Sequence, residues 1–222
     1  GIAAHLSIGL ERKCSKINDY YGKYYDETQI KKDISSFNLS YDLLSKNELF
    51  SYAAKLIKEG KIIGWFQNRS EFGPRALGNR SILANPIRNS TKYILDNYMK
   101  CRDRYRPYAP VVIEERASQY FDIDGTSPVM MRNVKVLDNR LIAVKHIDGT
   151  SRVQTINKEQ NTVLYELLLE VEKSIGIPIL LNTSFNRPGE PIVESPYDAL
   201  YSFYNGYLDH LFIGSYSIYR NN

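Results

Sequence analysis

Apolar residues recur with two different periods along this 222-residue chain, and the alternation between them sets the expected elements. Leu49, Phe50, Ala53, Leu56 and Ile57 fall three and four apart, the spacing of one helical face. Ser45-Lys46-Asn47-Glu48 in front of them is a capping box, and Gly60 supplies a left-handed stop. Val163, Leu164, Leu167, Leu168, Val171 and Ile175 repeat the pattern over 161–175 and end at Gly176. Ser195-Pro196 gives a cap and a first-turn proline for a third helix to about residue 205. Ser90 is expected to cap a fourth through about residue 99, with Tyr93, Ile94 and Tyr98 facing inward.

Continuous short apolar runs predict buried strands at 62–66, 107–113 and 177–181, with a short helix to Phe121 after the second. Residues 129–136 and 141–147 read as strands around a turn at Asp138-Asn139, and 211–219 closes the sheet. Residues 1–44 are weakly patterned. Gly1 to Leu6 reads as the remnant of something upstream and Asp19 to Gly22 as a polar turn, so this part is expected to pack as a strap. Strands and helices interleave, which predicts an α/β sandwich around a mixed sheet.

Length allows one large domain or a domain with an appendage, and a core that needs no disulfide or metal staple. Cys14 and Cys101 are too few and too far apart for a thiolate zinc site, so free thiols in a reducing cytoplasm are expected. No apolar run approaches the roughly 20 residues that span a bilayer. Net charge is +4, yet between Lys61 and Arg106 ten Lys or Arg stand against three acids. A concentrated positive segment in an otherwise slightly acidic chain points to a local anionic ligand.

Four segments carry candidate chemistry. Glu71-Phe72-Gly73-Pro74-Arg75-Ala76-Leu77-Gly78-Asn79-Arg80 follows a predicted strand, with glycines that let a ligand approach the backbone. Arg75 and Arg80 offer guanidinium forks for phosphate or carboxylate; a packed turn with solvent-facing arginines is an equal reading. In Lys100-Cys101-Arg102-Asp103-Arg104-Tyr105-Arg106-Pro107, an extended backbone would put Lys100, Arg102, Arg104 and Arg106 on one face. Those four like charges either fan into water or are held together by an anion. Beyond the turn Asp148-Gly149, Arg152 and Gln154 alternate with Val153, and an inward arginine is costly unless an anion pairs with it. His146, just before, is read as a structural histidine. Asn182-Thr183-Ser184-Phe185-Asn186 follows a buried strand, where α/β sheets place ligands, and offers donors and acceptors for a phosphate or a small planar amide. A self-satisfying Asx turn is the plainer alternative there. No HxxxH, CxxC or clustered carboxylates provide a protein metal cage, and Ser184 lacks a Ser-His-Asp arrangement.

Together these segments, with Arg106-Pro107-Tyr108-Ala109-Pro110 and Gly189-Glu190-Pro191-Ile192-Val193, resemble the C-terminal domain of the O-carbamoyltransferases of nodulation-factor and antibiotic biosynthesis. The resemblance runs from about Ser45 to Tyr219. It implies a YrdC-like fold, a mixed twisted sheet with flanking helices enclosing a basic cavity. It also implies formation of carbamoyl-adenylate from carbamoyl phosphate and ATP, with Mg²⁺ arriving on the nucleotide. By motif, Arg75, Lys100, Arg106, Arg152, Asn182 and Ser184 fall where the family binds these substrates; Lys100, Arg106 and Arg152 are the implied catalytic cations. Residues 45–222 are then the expected domain, and 1–44 a strap or the remnant of a preceding transferase domain. That transferase domain and its histidine metal site have no counterpart here, so the metal is not expected and the segment should activate carbamoyl groups without delivering them. Asn68-Arg69-Ser70 departs from the family's Gly-Arg-Met-like approach to the arginine loop. The competing readings are a non-catalytic nucleic-acid module and a nucleotide-binding regulatory domain. The first is disfavoured because no base-stacking aromatics interleave with the arginines.

Overall fold

The computed structural model describes residues 19–103 and 105–221. Nine strands form one sheet: β1 (Ser40–Leu43), β2 (Ile63–Phe66), β3 (Arg80–Ala84), β4 (Ala109–Ile113), β5 (Arg132–Lys135), β6 (Thr150–Ile156), β7 (Ile179–Ser184), β8 (His210–Ile213) and β9 (Tyr216–Tyr219). Their order is β1-β9-β8-β2-β3-β7-β4-β6-β5. The pairs β2–β8 and β4–β6 are parallel and the others antiparallel, so the sheet is mixed as expected.

Helices cover both faces. On one, α2 (Lys46–Glu59) and α5 (Thr162–Ile175) pack Phe50, Ile57, Leu164 and Leu168 onto Trp65, Leu83, Val111 and Leu180. Ser45 caps α2 through the anticipated box, Asn161 caps α5, and Gly60 and Gly176 end them in the left-handed conformation. On the other face, α1 (Glu27–Ile34) and α6 (Pro196–Tyr204) bury Ile30, Ile34, Leu200 and Phe203 against Phe66, Ile82 and Leu211. Residues 27–43 thus contribute a capped helix and an edge strand to the common sheet. The stretch 1–6 and Cys14 lie outside the described residues, while Cys101 is a free, exposed thiol.

Several local expectations are corrected. Residues 141–147 form successive turns, not a strand: Leu141 N–H donates to Asp138 and Val144 N–H to Leu141, and β5 pairs with β6 instead. The apolar side chains there, Leu141, Ala143 and Val144, are buried from turns. Arg88, not Ser90, sits at the N-cap of α3 (Asn89–Ile94), which widens into a π turn over Leu95–Met99. That widening shifts the inward face to Thr91, Leu95 and Met99 and leaves Tyr93 and Tyr98 about half exposed. Residues 210–219, expected to close the sheet, make a β8–β9 hairpin. Strand β7 continues through Ser184, so Asn182 and Ser184 sit on the sheet itself. Residues 100–103 and 105–106 are irregular and do not form the extended segment expected there, and Arg104 lies outside the described residues.

Candidate functional site

Side chains on a strand share a face every second residue. Arg152 and Gln154 therefore share one face of β6, and Asn182 and Ser184 share one face of β7. Strand β4 runs between them, with Ala109 opposite Asn182 and Val111 opposite Gln154. The two amides meet across it: Asn182 Nδ2 donates to Gln154 Oε1 at 2.8 Å and to the Ala76 carbonyl at 3.2 Å. Gln154 Nε2 donates to the Leu77 carbonyl at 2.9 Å. These bonds lay the arginine loop over the end of the sheet. Gln154 is fully buried and Asn182 is 1 % exposed, yet Asn182 Oδ1 meets no partner.

Cations surround this row. Arg152 keeps a buried Nε without a hydrogen bond, and burial, then Arg75, then Arg102 depress its affinity for its proton. Lys100, at the end of the π turn, directs Nζ at the Ser184 carbonyl (2.6 Å), Ser184 Oγ (3.4 Å), the Asn186 carbonyl (3.0 Å) and Asn186 Oδ1 (2.8 Å). Burial and neighbouring Arg102 push the Lys100 amine down to about 7, while the four oxygens favour its charged form. Arg102 lies over the Tyr108 ring, 4.0 Å from its centroid, with Nε 3.6 Å from Asp96. Asp96 is buried and is shared with Lys92 (3.0 Å) and the Tyr108 hydroxyl (2.8 Å). One carboxylate between two cations leaves the group with surplus positive charge.

Two sequence-selected arginines stand outside the row. Arg80 is fully buried, and its guanidinium donates to the carbonyls of Gln67 (2.6 Å), Asn79 (3.0 Å), Asn68 (3.1 Å) and Glu194 (3.3 Å). It also stacks on Phe66, 3.5 Å from the ring centroid, and burial pulls it down to about 10. With its donors spent on the backbone, Arg80 is a structural tie and not an anion ligand. Arg106 is exposed, and its backbone carbonyl accepts from Lys92 Nζ at 3.1 Å. The glycine loop is not an open cradle either. Glu71 Oε1 accepts from the backbone N–H groups of Leu77 (2.6 Å), Asn79 (2.8 Å) and Arg80 (3.2 Å), so that carboxylate fills the place a ligand anion would take.

The structure therefore brings together Arg75, Lys100, Arg152, Asn182 and Ser184. It adds Arg102, Gln154 and Asn186, which lie in the candidate segments but were not among the residues carried over from the resemblance. Arg102 and Asn186 each lie two positions beyond a selected residue, and Gln154 two beyond Arg152, a spacing that could have found them. His146 Nδ1 lies 3.2 Å from Thr150 Oγ1, while its buried Nε2 meets no partner, so it is not the fully satisfied histidine expected from sequence. A cavity of about 390 Å³, lined by Tyr98, Cys101, Asn186, Arg187 and Tyr207 among others, opens beside Lys100 and is within the size range of small-ligand sites. Among the described residues no group of three or more His, Cys, Asp or Glu is placed to hold a metal ion. No helix among them is long and apolar enough to cross a membrane.

A mixed, open α/β sheet, here with cations, amides and a hydroxyl gathered at one end, has the YrdC-like fold. The chain belongs to the carbamoyltransferase C-terminus family, whose profile matches residues 54–220. It is 46 % identical over 178 residues to nodulation protein NolNO of Sinorhizobium fredii, covering 78 % of this chain and 26 % of that protein. To nodulation protein NolO of Bradyrhizobium diazoefficiens it is 40 % identical over 199 residues, covering 87 % and 36 %. The chain thus spans about a quarter to a third of the length of these relatives. Among solved structures, full-length HypF aligns with a TM-score of 0.53 and 18 % identity over 82 % of this chain and 22 % of its own.

Proposed function

We propose that this chain is the carbamoyl-activating part of an O-carbamoyltransferase, making carbamoyl-adenylate from carbamoyl phosphate and ATP. The observation that carries the reading is the row itself: Arg152, Arg102 and Arg75 cluster with too few carboxylates, next to Lys100, Ser184 and an unsatisfied Asn182. Such a cluster is stable when anions complete it. HypF, captured in a phosphate- and nucleotide-bound form, lends support by sharing the fold.

The chemistry joins two anions. Water cleaves carbamoyl phosphate to carbamate and inorganic phosphate. A carbamate oxygen then attacks the α-phosphorus of ATP, and pyrophosphate leaves. Arg152 and Arg75 offset the charge of the phosphate carried by the carbamoyl group, and Lys100 and Arg102 offset the charge that grows on the α-phosphoryl oxygens. Magnesium, carried on the triphosphate, would screen the leaving pyrophosphate; the described residues build no separate cage for it. In longer members of the family, the remainder of the protein would pass the carbamoyl group to a hydroxyl acceptor.

Pyrophosphate release tests the reading. The wild-type chain should release pyrophosphate only when ATP, Mg²⁺ and carbamoyl phosphate are all present. Arg152→Ala should lower the rate by about 10²-fold or more, in line with losing one charge-stabilising donor. Release that ignores carbamoyl phosphate, or an Arg152→Ala rate equal to wild type, would sink it.

A further inference from the structure

His146 stands just before β6, and its hydrogen bonds fix which ring nitrogen carries the proton. The Thr150 hydroxyl has a single hydrogen and donates it to Asp148 Oδ1 at 2.7 Å. The Thr150 N–H donates to the same oxygen at 2.9 Å, and together these bonds hold the Asp148 carboxyl below its usual range, as an acceptor. Thr150 Oγ1, its hydrogen spent, therefore accepts from His146 at 3.2 Å, and Nδ1 is the protonated nitrogen. Nε2 keeps its lone pair, buried and with no protein group bonded to it. Thr150, Arg152 and Gln154 alternate along one face of β6, so the imidazole lies at the Thr150 edge of the cationic row. Burial lowers its proton affinity; Asp148 opposes that, and Arg152 and Lys92 reinforce it, so the ring is neutral at pH 7. Lys92 itself is tied to Asp96 and to the Arg106 carbonyl.

Arg152, close enough for its charge to act on this ring, has a buried Nε–H that is also unpaired, and the two atoms do not bond each other. A water is the smallest molecule that donates to one and accepts from the other. Cleavage of carbamoyl phosphate consumes a water, and a neutral imidazole with a free lone pair is suited to deprotonate it. Resting on the function proposed above, we propose that His146 Nε2 is the general base for that water, while Arg152 Nε–H holds its oxygen. Thr150 is the positioning residue, because its hydroxyl fixes the tautomer that leaves Nε2 free. The water oxygen bonds to the carbamoyl carbon, the bond from that carbon to the bridging oxygen breaks, and phosphate leaves with the electron pair. One water proton passes to Nε2 and on to the departing phosphate. The other is shed to solvent as carbamic acid becomes carbamate.

The test separates chemistry from binding in the intact chain. Phosphate release from carbamoyl phosphate is followed with ATP and Mg²⁺ present, and calorimetry follows binding of phosphonoacetamide, a hydrolysis-stable analogue. His146→Gln should slow phosphate release by about 10²-fold or more and leave phosphonoacetamide affinity within about threefold of wild type. Thr150→Val, which removes the acceptor for Nδ1–H, should slow release by at least about tenfold, and Thr150→Ser, which restores a hydroxyl, should recover most of that loss. An unchanged rate in His146→Gln overturns the inference. So does a parallel loss of rate and affinity, the mark of a purely structural histidine. If His146→Gln does not fold, the Thr150 pair decides: equal rates in the valine and serine variants overturn it. These outcomes leave the carbamoyl-activating reading standing, whereas wild type that releases no phosphate from carbamoyl phosphate overturns both.

Discussion

Arg80 and Lys100 carry the same formal charge, yet the chain uses them in opposite ways. Arg80 ties four backbone carbonyls together in the interior, and truncating it would leave them unpaired. Arg80→Ala should cost roughly 3 kcal/mol or more of unfolding free energy, read by urea denaturation; a loss under about 1 kcal/mol would contradict the structural role. Lys100 is aimed at the site edge, and its amine is pushed down to about 7. An anion binds the ammonium form, so affinity is full below that value and falls as pH rises through it. Sulfate, whose own charge is constant over this range, should bind less tightly at about pH 8.5 than at about pH 6. Lys100→Arg should flatten that slope, because a guanidinium stays charged; an unchanged slope in the variant would assign the titration to another group.

At the level of elements, the arginine loop is fixed by packing as much as by hydrogen bonds. Gly78 has φ +106°, and a Cβ there would meet Leu164 Cδ2 of α5 at 2.3 Å. Gly78→Ala should therefore displace the loop and destabilise the chain by about 1–3 kcal/mol, and should also weaken sulfate binding, since Arg75 rides on the same loop. Stability lost with sulfate affinity intact would separate the loop from the site. A control lies at α6, where Ser195 caps the helix in a reciprocal box with Asp198. Ser195→Ala should cost about 1 kcal/mol by thermal unfolding and leave sulfate binding alone. The helices were legible because caps, stops and three-four spacing are local signals, as at Ser45, Gly176 and Ser195. What escaped was set by distant partners. Residues 141–147 have a strand-like composition but no free strand edge beside them, since β5 takes the edge of β6. The π turn that rotates Tyr93 and Tyr98 outward follows from burying Leu95, Asp96 and Met99, which no spacing rule announces.

On the scale of the whole molecule, the charge excess between Lys61 and Arg106 is divided by the fold. Arg80 goes to the interior, Arg88 donates to the Lys58 carbonyl near the end of α2, and Arg102 turns toward Arg152 from β6. Sequence reasoning selected Arg75, Lys100, Arg152, Asn182 and Ser184, and the fold brings these five near one another. It could not separate Arg80 from them, since only the sheet register shows which guanidinium faces backbone carbonyls. The proposed function rests on β6, β7, the arginine loop and the π turn converging on one cationic row. A crystal of the intact chain soaked with phosphonoacetamide and a non-hydrolysable ATP analogue tests it directly. The account predicts phosphonate density within hydrogen-bonding reach of Arg152 and Arg75, with the nucleotide phosphates at Lys100 and Ser184. Ordered ligands bound elsewhere on the surface, with Arg152 and Lys100 untouched, would contradict it.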